Sequence, residues 1–574
     1  MSSSALTMSY LHVPRKTPFT SNTIGQQLYH IAETYSEKEM YVFYGDNERI
    51  IFQQMKDSSQ RFAASLLSRG MKKGDRIALW GFNHSEWLTA FYACTQLGIL
   101  VVPLRSELPL HTVSFIFKEL KCKVILLTRS PANLVERIFT LMPELHDNDD
   151  RRTDQQFSRL FPDLKFIIYG DGLSFEHVQN RSIYKLDTFL ELADKSDIDK
   201  VTAACMSIDM DDPALTYFTS GSTGSPKAVV LSHHALLNNT ATSGAYRAGM
   251  EGFQDNWDSV RFGITMTFSS SGSFIGTFLP LVRGCTSVIL YPDFTVEAMA
   301  KALQDERVTE GAFCINHMAQ LINIPDFNMY DFSNLRIVNS TGSVIPRKLR
   351  QRVEQIAKRN GTYGMTETLE VMLSHPLDPQ DAKNEDCVYP VGGTEVKIVN
   401  DEGRVVPVNA QGELLVRSYS LLLYYLGEPE KTREFKDDNG WAHTGDVAVM
   451  DHRGFVKICG RIKDLITKNA VNLAPLELER ILNQHQSIED TMVVGVPGDI
   501  AGEEVCACIR LRNETTLTTE EVIEFCKGKV FTLLVPKYIV FVNEFPATEI
   551  GKFSRQKMSI RAMEMLGLKQ ETKE

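Results

Sequence analysis

RIALWGFNHSEWLTAFYACTQLGILVVPL, Arg76 to Leu104, decides the fold class. RIALWGF reads as a strand, SEWLTAFYACTQLG as a helix that ends at Gly98, and ILVVPL as a second strand. Strands made of continuous Val, Ile and Leu and joined through a helix are the signature of a sheet buried on both faces. Gly98 and Pro103 interrupt the apolar run from Leu88 to Leu104, so it reads as helix and buried strand, not as a membrane span. The pattern continues downstream in the helix SFIFKEL and the strand CKVILLT. Upstream, Ile24, Leu28, Ile31 and Ala32 recur at helical spacing behind Ser21-Asn22-Thr23, a ready set of capping residues.

The chain as a whole agrees with an α/β globular class. It has 574 residues, 43% apolar and 23% charged, enough for a real core in each of two to four domains. Its 61 Lys and Arg against 72 Asp and Glu give a net charge of −11, with no long basic run. That balance argues against a nucleic-acid partner. Ten cysteines are scattered without CxxC or Cys/His finger spacing, so they read as reduced and mostly buried. Cys506 and Cys508 alternate in EEVCACIRL and share one strand face, which reads as packing and not as a metal site.

Texture divides the chain. Residues 1–20 are set apart as a targeting or disordered segment, since the first 32 residues carry no acid, several Ser and Thr, and only Arg15 and Lys16 as cations. A mitochondrial or cytoplasmic address is expected; the C-terminal KQETKE is not a peroxisomal signal. Residues 21–459 form the large domain, with 144–160 as a polar surface excursion. Short alternating runs such as VKIVNDEGRVVPV and GELLVRS make about 391–459 β-rich. A polar hinge at 460–466 leads to a small α+β domain at 467–574, in which Thr518 and Glu521 form a capping box.

The strongest chemical signal is TYFTSGSTGSPKAVVLSH, Thr216 to His233. Thr219, Ser220, Gly221, Ser222, Thr223 and Gly224 make a hydroxyl- and glycine-rich turn, closed by Ser225-Pro226-Lys227. Such a turn can aim successive N–H groups and hydroxyls at phosphate oxygens while Lys227 adds a point charge. It is not a Walker A loop, which requires GxxxxGK followed by Ser or Thr. Taken alone it is an ordinary surface loop, and it needs companions.

Those companions are TYGMTE at 362–367, HTGD at 443–446, GRIKD at 460–464 and PATEIGKFSR at 546–555. Together with the loop at 219–227, and in this order, they resemble the signature of the adenylate-forming enzymes, the superfamily of acyl-CoA synthetases, luciferases and nonribosomal adenylation domains. The flanks TIGQQL, GEEVCACIRL, FCKGK and PKYIVFV are most similar to the mitochondrial medium-chain acyl-CoA synthetase branch. The resemblance implies ATP and Mg²⁺, coenzyme A as co-substrate, and a small carboxylic acid as partner. It implies that Glu367 holds Mg²⁺, that Thr366 contacts phosphate and that Tyr363 lies against adenine. Asp446 corresponds to the acceptor of the ribose hydroxyls, Arg461 to a second nucleotide contact, and Lys463-Asp464 to the hinge. Lys552 corresponds to the lysine that bridges carboxylate and α-phosphate during adenylation. An isolated Gly-Lys pair is ordinarily a solvated loop lysine, so that role rests on the motif. A rotation at the hinge then withdraws this lysine and admits the CoA thiol, so the small domain acts as a mobile cap.

The sequence also departs from the pattern. Ala228, Ser418 and Tyr424 stand where glycines are usual, and KNAVNLAP, Lys468 to Pro475, replaces a GGENIYP-like stretch near the pantetheine channel. Glycine matters where φ is positive or a ligand touches backbone, so Asn469 and Ala470 bear on the thioester step more than on adenylation. MTFSSSG, Met266 to Gly272, has Ser269 where a histidine is common. QIAKRNGTYGMTE reads as about three residues short of the usual buried strand, which would displace Tyr363 and Thr366. The expected activity is an AMP-forming acid–CoA ligase acting on a fatty acid, medium-chain by resemblance, or on a similar apolar acid. The alternatives are a half-active or non-enzymatic relative that binds nucleotide or acyl ligand, and an adenylating enzyme with an acceptor other than CoA.

Overall fold

The computed structural model describes residues 5–146, 158–175, 182–219, 226–248, 257–290, 295–340, 347–469, 471–498, 503–546 and 553–568. The stretch from Arg76 to Leu104 folds as read: strand Arg76–Trp80, helix Ser85–Leu97, strand Leu100–Leu104, with the two strands parallel and paired Arg76 to Leu100 through Trp80 to Leu104. Gly98 ends the helix at φ 63, a left-handed conformation that glycine adopts without a Cβ penalty. The upstream helix Ile24–Thr34 starts at a capping box. The Thr23 hydroxyl accepts the Gln26 N–H and the Gln26 side chain accepts the Thr23 N–H.

Among the described residues, two large sheets carry the fold. One has eight strands, running from Tyr424–Tyr425 through Lys227–Ser232, Pro213–Thr219 and Leu100–Leu104 to Ile183–Lys185. The other has nine, and its centre is parallel: Lys358–Met365, Ile337–Ser340, Glu310–Phe313, Arg261–Ile264 and Thr286–Ile289 lie side by side. Helices Ile24–Thr34, Ser85–Leu97 and Phe274–Arg283 pack between them in one apolar cluster that includes Phe91, Tyr92, Phe262 and Phe278. Among the described residues no helix is long and apolar enough to cross a membrane.

A five-stranded antiparallel sheet forms the β-rich part, in the order Tyr10–Val13, Thr394–Val399, Gln411–Ser418, Ala442–Met450 and Val456–Arg461. Its first strand corrects the reading of residues 1–20 as disordered. Tyr10 to Val13 pairs with Lys397 to Thr394, and the Leu6 N–H bonds the His452 carbonyl at 2.9 Å. Leu6 and Leu11 pack against the apolar face of this sheet, so the segment has a burial partner that its composition hid. Beyond the hairpin Ile466–Lys468 and Val471–Leu473, the C-terminal part is a three-stranded sheet with helices Pro475–Leu482, Thr519–Cys526 and Arg555–Leu566. Cys506 and Cys508 are fully buried on its strand Glu503–Leu511. The capping box at Thr518 and Glu521 forms as read. Most of the polar excursion at 144–160 lies outside the described residues.

Candidate active site

The Ser/Thr/Gly turn is the connection of a hairpin. Strand Pro213–Thr219 runs antiparallel to Lys227–Ser232, with Thr219 directly opposite Lys227. The hairpin therefore holds Thr219 and Lys227 together at the end that the turn closes, while Ser220, Gly221, Ser222, Thr223 and Gly224 lie outside the described residues. Ala228, where glycine was expected, sits in the strand facing Phe218. It is 5% exposed and packs in an apolar cluster, so its methyl group is accommodated. Tyr424 pairs with Val230 in a short edge strand, and Ser418 ends the strand Gln411–Ser418; neither occupies a left-handed position.

TYGMTE lies on the strand Lys358–Met365 and the turn that follows. The strand read as short is present, but polar residues build it. Lys358 to Gly361 pair parallel with Ile337 to Ser340, and from Thr362 the strand turns to antiparallel pairing with Leu369–Leu373. Arg359 is held by Asp386 at 2.7 Å, and the Asn360 amide reaches the Asn339 side chain at 3.3 Å. These partners allow charged and amide groups where an apolar strand was expected. A Cβ on Gly364 would lie 1.9 Å from the Leu369 carbonyl oxygen, so the motif's glycine is required by close approach of backbone.

Five side-chain contacts organise the polar residues. The Tyr425 hydroxyl donates to Glu367 Oε1 at 2.8 Å, and the Lys227 ammonium lies 5.0 Å from the Tyr425 ring centroid. The Thr366 and Ser271 hydroxyls are 3.0 Å apart. The Tyr363 hydroxyl donates to Asp446 Oδ2 at 2.6 Å, and Arg461 Nε stands 3.3 Å from Asp446 Oδ1. Asp446 and Arg461 face each other across the strands Ala442–Met450 and Val456–Arg461. The Asp446 N–H bonds the Thr444 hydroxyl, which in turn donates to the Leu414 carbonyl.

Electrostatics follow burial. Glu367 is 5% exposed and Asp446 6%. Desolvation pushes the Glu367 carboxyl above its ordinary range; the Tyr425 hydroxyl and the charges of Arg461 and Lys227 pull it back. Asp446 is raised by burial and opposed by Arg461 and the Tyr363 hydroxyl. The structure thus brings Lys227, Glu367 and Thr366 into one neighbourhood with Ser271 and Tyr425, and Tyr363, Asp446 and Arg461 into another. Sequence reasoning missed Ser271 and Tyr425. Ser271 had no signal in a run of serines, whereas Tyr425 adjoined a position already marked as unusual.

Lys552 lies outside the described residues. Its neighbour Phe553, with Phe545, Arg555 and Phe531, borders a cleft of about 1070 Å³ between the C-terminal part and the large part. On the large part that cleft is lined by Arg350, Lys457 and Cys459, and among the described residues none of Lys227, Glu367 or Asp446 lines it. Arg555 pairs with Glu479, with Nη2 to Oε2 at 2.8 Å, and approaches Asp464 at 3.8 Å. Ile462–Asp464, within the segment expected to be a hinge, form a single 3-10 turn.

The AMP-binding enzyme model matches residues 28–426, and the AMP-binding enzyme C-terminal domain model matches 477–552. The chain belongs to the AMP-binding enzymes. Within this adenylate-forming family it is 32% identical over 575 residues to the mitochondrial medium-chain acyl-CoA ligase of Danio rerio, covering 98% of this chain and 92% of the relative. The fold matches an anthranilate CoA ligase solved with anthranoyl-AMP at a TM-score of 0.80 and 21% identity, over 96% of this chain and 99% of that one. It also matches the amide bond synthetase of Marinactinospora thermotolerans at a TM-score of 0.75 and 21% identity, over 94% and 99%. The two matched regions lie on either side of the 3-10 turn Ile462–Asp464.

Proposed function

We propose that the protein is an ATP- and Mg²⁺-dependent acid–CoA ligase that activates an apolar, medium-chain carboxylic acid. The observation that carries this reading is the placement of Lys227 and Glu367 on either side of Tyr425, one a cation beside the phosphate-binding hairpin, the other a buried carboxylate. A buried carboxylate whose preceding residue, Thr366, has its hydroxyl 3.0 Å from that of Ser271 fits Mg²⁺, which keeps several waters and shares phosphate oxygens instead of taking a carboxylate cage. When bound, that ion would screen phosphate charge. Lys227 and the 219–227 turn would hold the phosphate oxygens, Thr366 would donate to them, and Tyr363, Asp446 and Arg461 would fix the nucleoside, with Asp446 accepting the ribose hydroxyls.

In the first half-reaction a carboxylate oxygen bonds to the α-phosphorus and the bond to pyrophosphate breaks. Both reactants are anions, and Lys552 would neutralise the repulsion between them. In the second, the CoA sulfur bonds to the acyl carbon, AMP leaves, and the thiol proton passes to solvent. The Danio rerio relative is named a mitochondrial medium-chain ligase, which supports both the acid class and a mitochondrial address. A second reading, transfer to an acceptor other than CoA, is supported by the replaced glycines at 469–470 and by the amide bond synthetase among the fold neighbours.

The test follows pyrophosphate, AMP and thioester together, with Mg–ATP and short, medium, long and aromatic acids, with and without CoA. The expected result is CoA-dependent turnover that is greatest with medium-chain acids. Pyrophosphate without thioester would favour the second reading, and no release with any acid from folded protein would refute both. Lys552→Ala is expected to slow pyrophosphate release by at least a hundredfold; an unchanged rate would remove that residue from the reaction.

A further inference from the structure

Tyr425 stands at the centre of a strap that no motif marks. The strap spans residues 420–426 and ties the TYGMTE turn to Lys227–Ser232, the second strand of the hairpin. On one side the Ser420 hydroxyl donates to the Thr368 carbonyl at 2.7 Å, and the Leu422 N–H donates to the Glu367 carbonyl at 2.7 Å. On the other, the Leu423 and Leu426 N–H groups donate to the Val230 and Ala228 carbonyls, each at 2.9 Å. The Lys436 ammonium binds the Leu422 and Leu423 carbonyls from outside, at 3.1 and 3.3 Å. Tyr425 itself is anchored by its N–H to the Thr432 hydroxyl at 2.9 Å and by its ring against Phe435. It is 4% exposed. A ring held this firmly has one orientation, and that orientation gives its face to Lys227 and its hydroxyl to Glu367.

We infer that Tyr425 is a positioning residue that couples the phosphate-side cation Lys227 to the carboxylate Glu367. The inference rests on the proposed ligase reading and assigns a task within that site. A phenol that donates to Oε1 occupies one lone pair and fixes the carboxylate plane, so Oε2 is presented to a divalent ion. The ring face attracts the ammonium electrostatically and limits the arc that Lys227 sweeps. One side chain thereby sets the spacing of two opposite charges that must meet the same polyphosphate. Preorganised charges need no rearrangement when the substrate's own charge shifts, and this is the advantage of holding them through a rigid third group.

The test uses the full chain, calorimetric binding of Mg–ATP, and the Mg²⁺ concentration for half-maximal binding at fixed ATP. Tyr425→Phe keeps the ring and the Lys227 contact but removes the hydroxyl. It is expected to raise that Mg²⁺ concentration about tenfold while leaving the melting temperature near wild type. Tyr425→Leu removes the ring as well and is expected to weaken ATP binding further at saturating Mg²⁺. A merely structural tyrosine would not give the decisive result: in a Glu367→Gln background, Tyr425→Phe should have no further effect on Mg²⁺ dependence. Additive effects of the two substitutions, or a Tyr425→Phe protein with wild-type Mg²⁺ dependence, would overturn the inference. Binding of Mg–ATP without pyrophosphate release would refute the ligase reading and leave the comparison of variants intact. Normal turnover with unchanged Mg²⁺ dependence would refute the role of Tyr425 alone, and a wild-type protein that binds no Mg–ATP would refute both.

Discussion

The Tyr363 hydroxyl lies 2.6 Å from Asp446 Oδ2, and this contact changes what each residue is expected to do. Read from the motif alone, Tyr363 is a ring for adenine and Asp446 an acceptor for ribose. In the folded chain the phenol also fixes the carboxylate, and Arg461 holds the other oxygen from the adjacent strand. A hydrogen bond to a charged group contributes about 1.5–3 kcal/mol. Tyr363→Phe keeps the ring and should weaken ATP binding about tenfold by freeing the carboxylate, with kcat changed less than threefold. Titration of ATP against the two proteins checks this, and equal affinities would show that Asp446 is oriented by Arg461 alone. Residues such as Asp446 and Glu367 were legible because their neighbours in sequence carry the motif. Their partners were not, since Tyr425 and Ser271 reach the site from 58 and 95 residues away. Spacing in sequence carries no information about such pairs until the sheets are assembled.

Elements were legible where burial is two-sided and opaque where it is compensated. The alternation of apolar strands and helices from Arg76 onward needs no context, and it folds as its periodicity requires. The strand Lys358–Met365 reads as about three residues short because its burial depends on Asp386 and Asn339, supplied by other elements. The strand Tyr10–Val13 was hidden in the same way, for its partner Thr394–Val399 lies far along the chain. The hairpin Ile466–Lys468 and Val471–Leu473 shows a substitution explained by backbone alone. Asn469 follows Lys468 in a two-residue turn with φ at 52, a left-handed conformation that asparagine tolerates better than most residues. The loss of glycine is therefore partly compensated. Asn469→Ala should destabilise the chain by about 1 kcal/mol, whereas Asn469→Gly should stay within about 0.5 kcal/mol of wild type. Chemical denaturation of the three proteins checks the turn. Thioester formation by the glycine variant then tells whether the side chain obstructs CoA, because stability is held constant.

For the whole molecule, folding buries titratable groups outside the polar cluster of the candidate site, and these set how stability depends on pH. His233 is 0% exposed and accepts the Ile24 N–H on Nδ1 at 3.2 Å; burial holds its pKa at about 4, against 6.5 ordinarily. Below pH 6.5 the unfolded chain takes up a proton that the native chain refuses, so this residue makes stability fall as pH drops from 6.5 toward 4. Glu86 has the opposite sign. It accepts the Asp171 N–H at 2.8 Å, and burial pushes its carboxyl up to about 7 from 4.5. Its native state holds a proton that the unfolded chain has released, so its contribution is complete below pH 4.5 and is lost as pH rises through 7. Between pH 4.5 and 6.5 the two groups oppose each other. Glu86→Gln keeps an acceptor for the Asp171 N–H and removes the titration, which isolates the second effect. The variant should match wild type near pH 4.5 and exceed it by about 2 kcal/mol at pH 8, a figure reduced for partial solvent access. Urea unfolding at both pH values checks the sign. An advantage of equal size at pH 4.5 and pH 8 would mean that Glu86 titrates as it does in the unfolded chain and that His233 acts unopposed across the acid range.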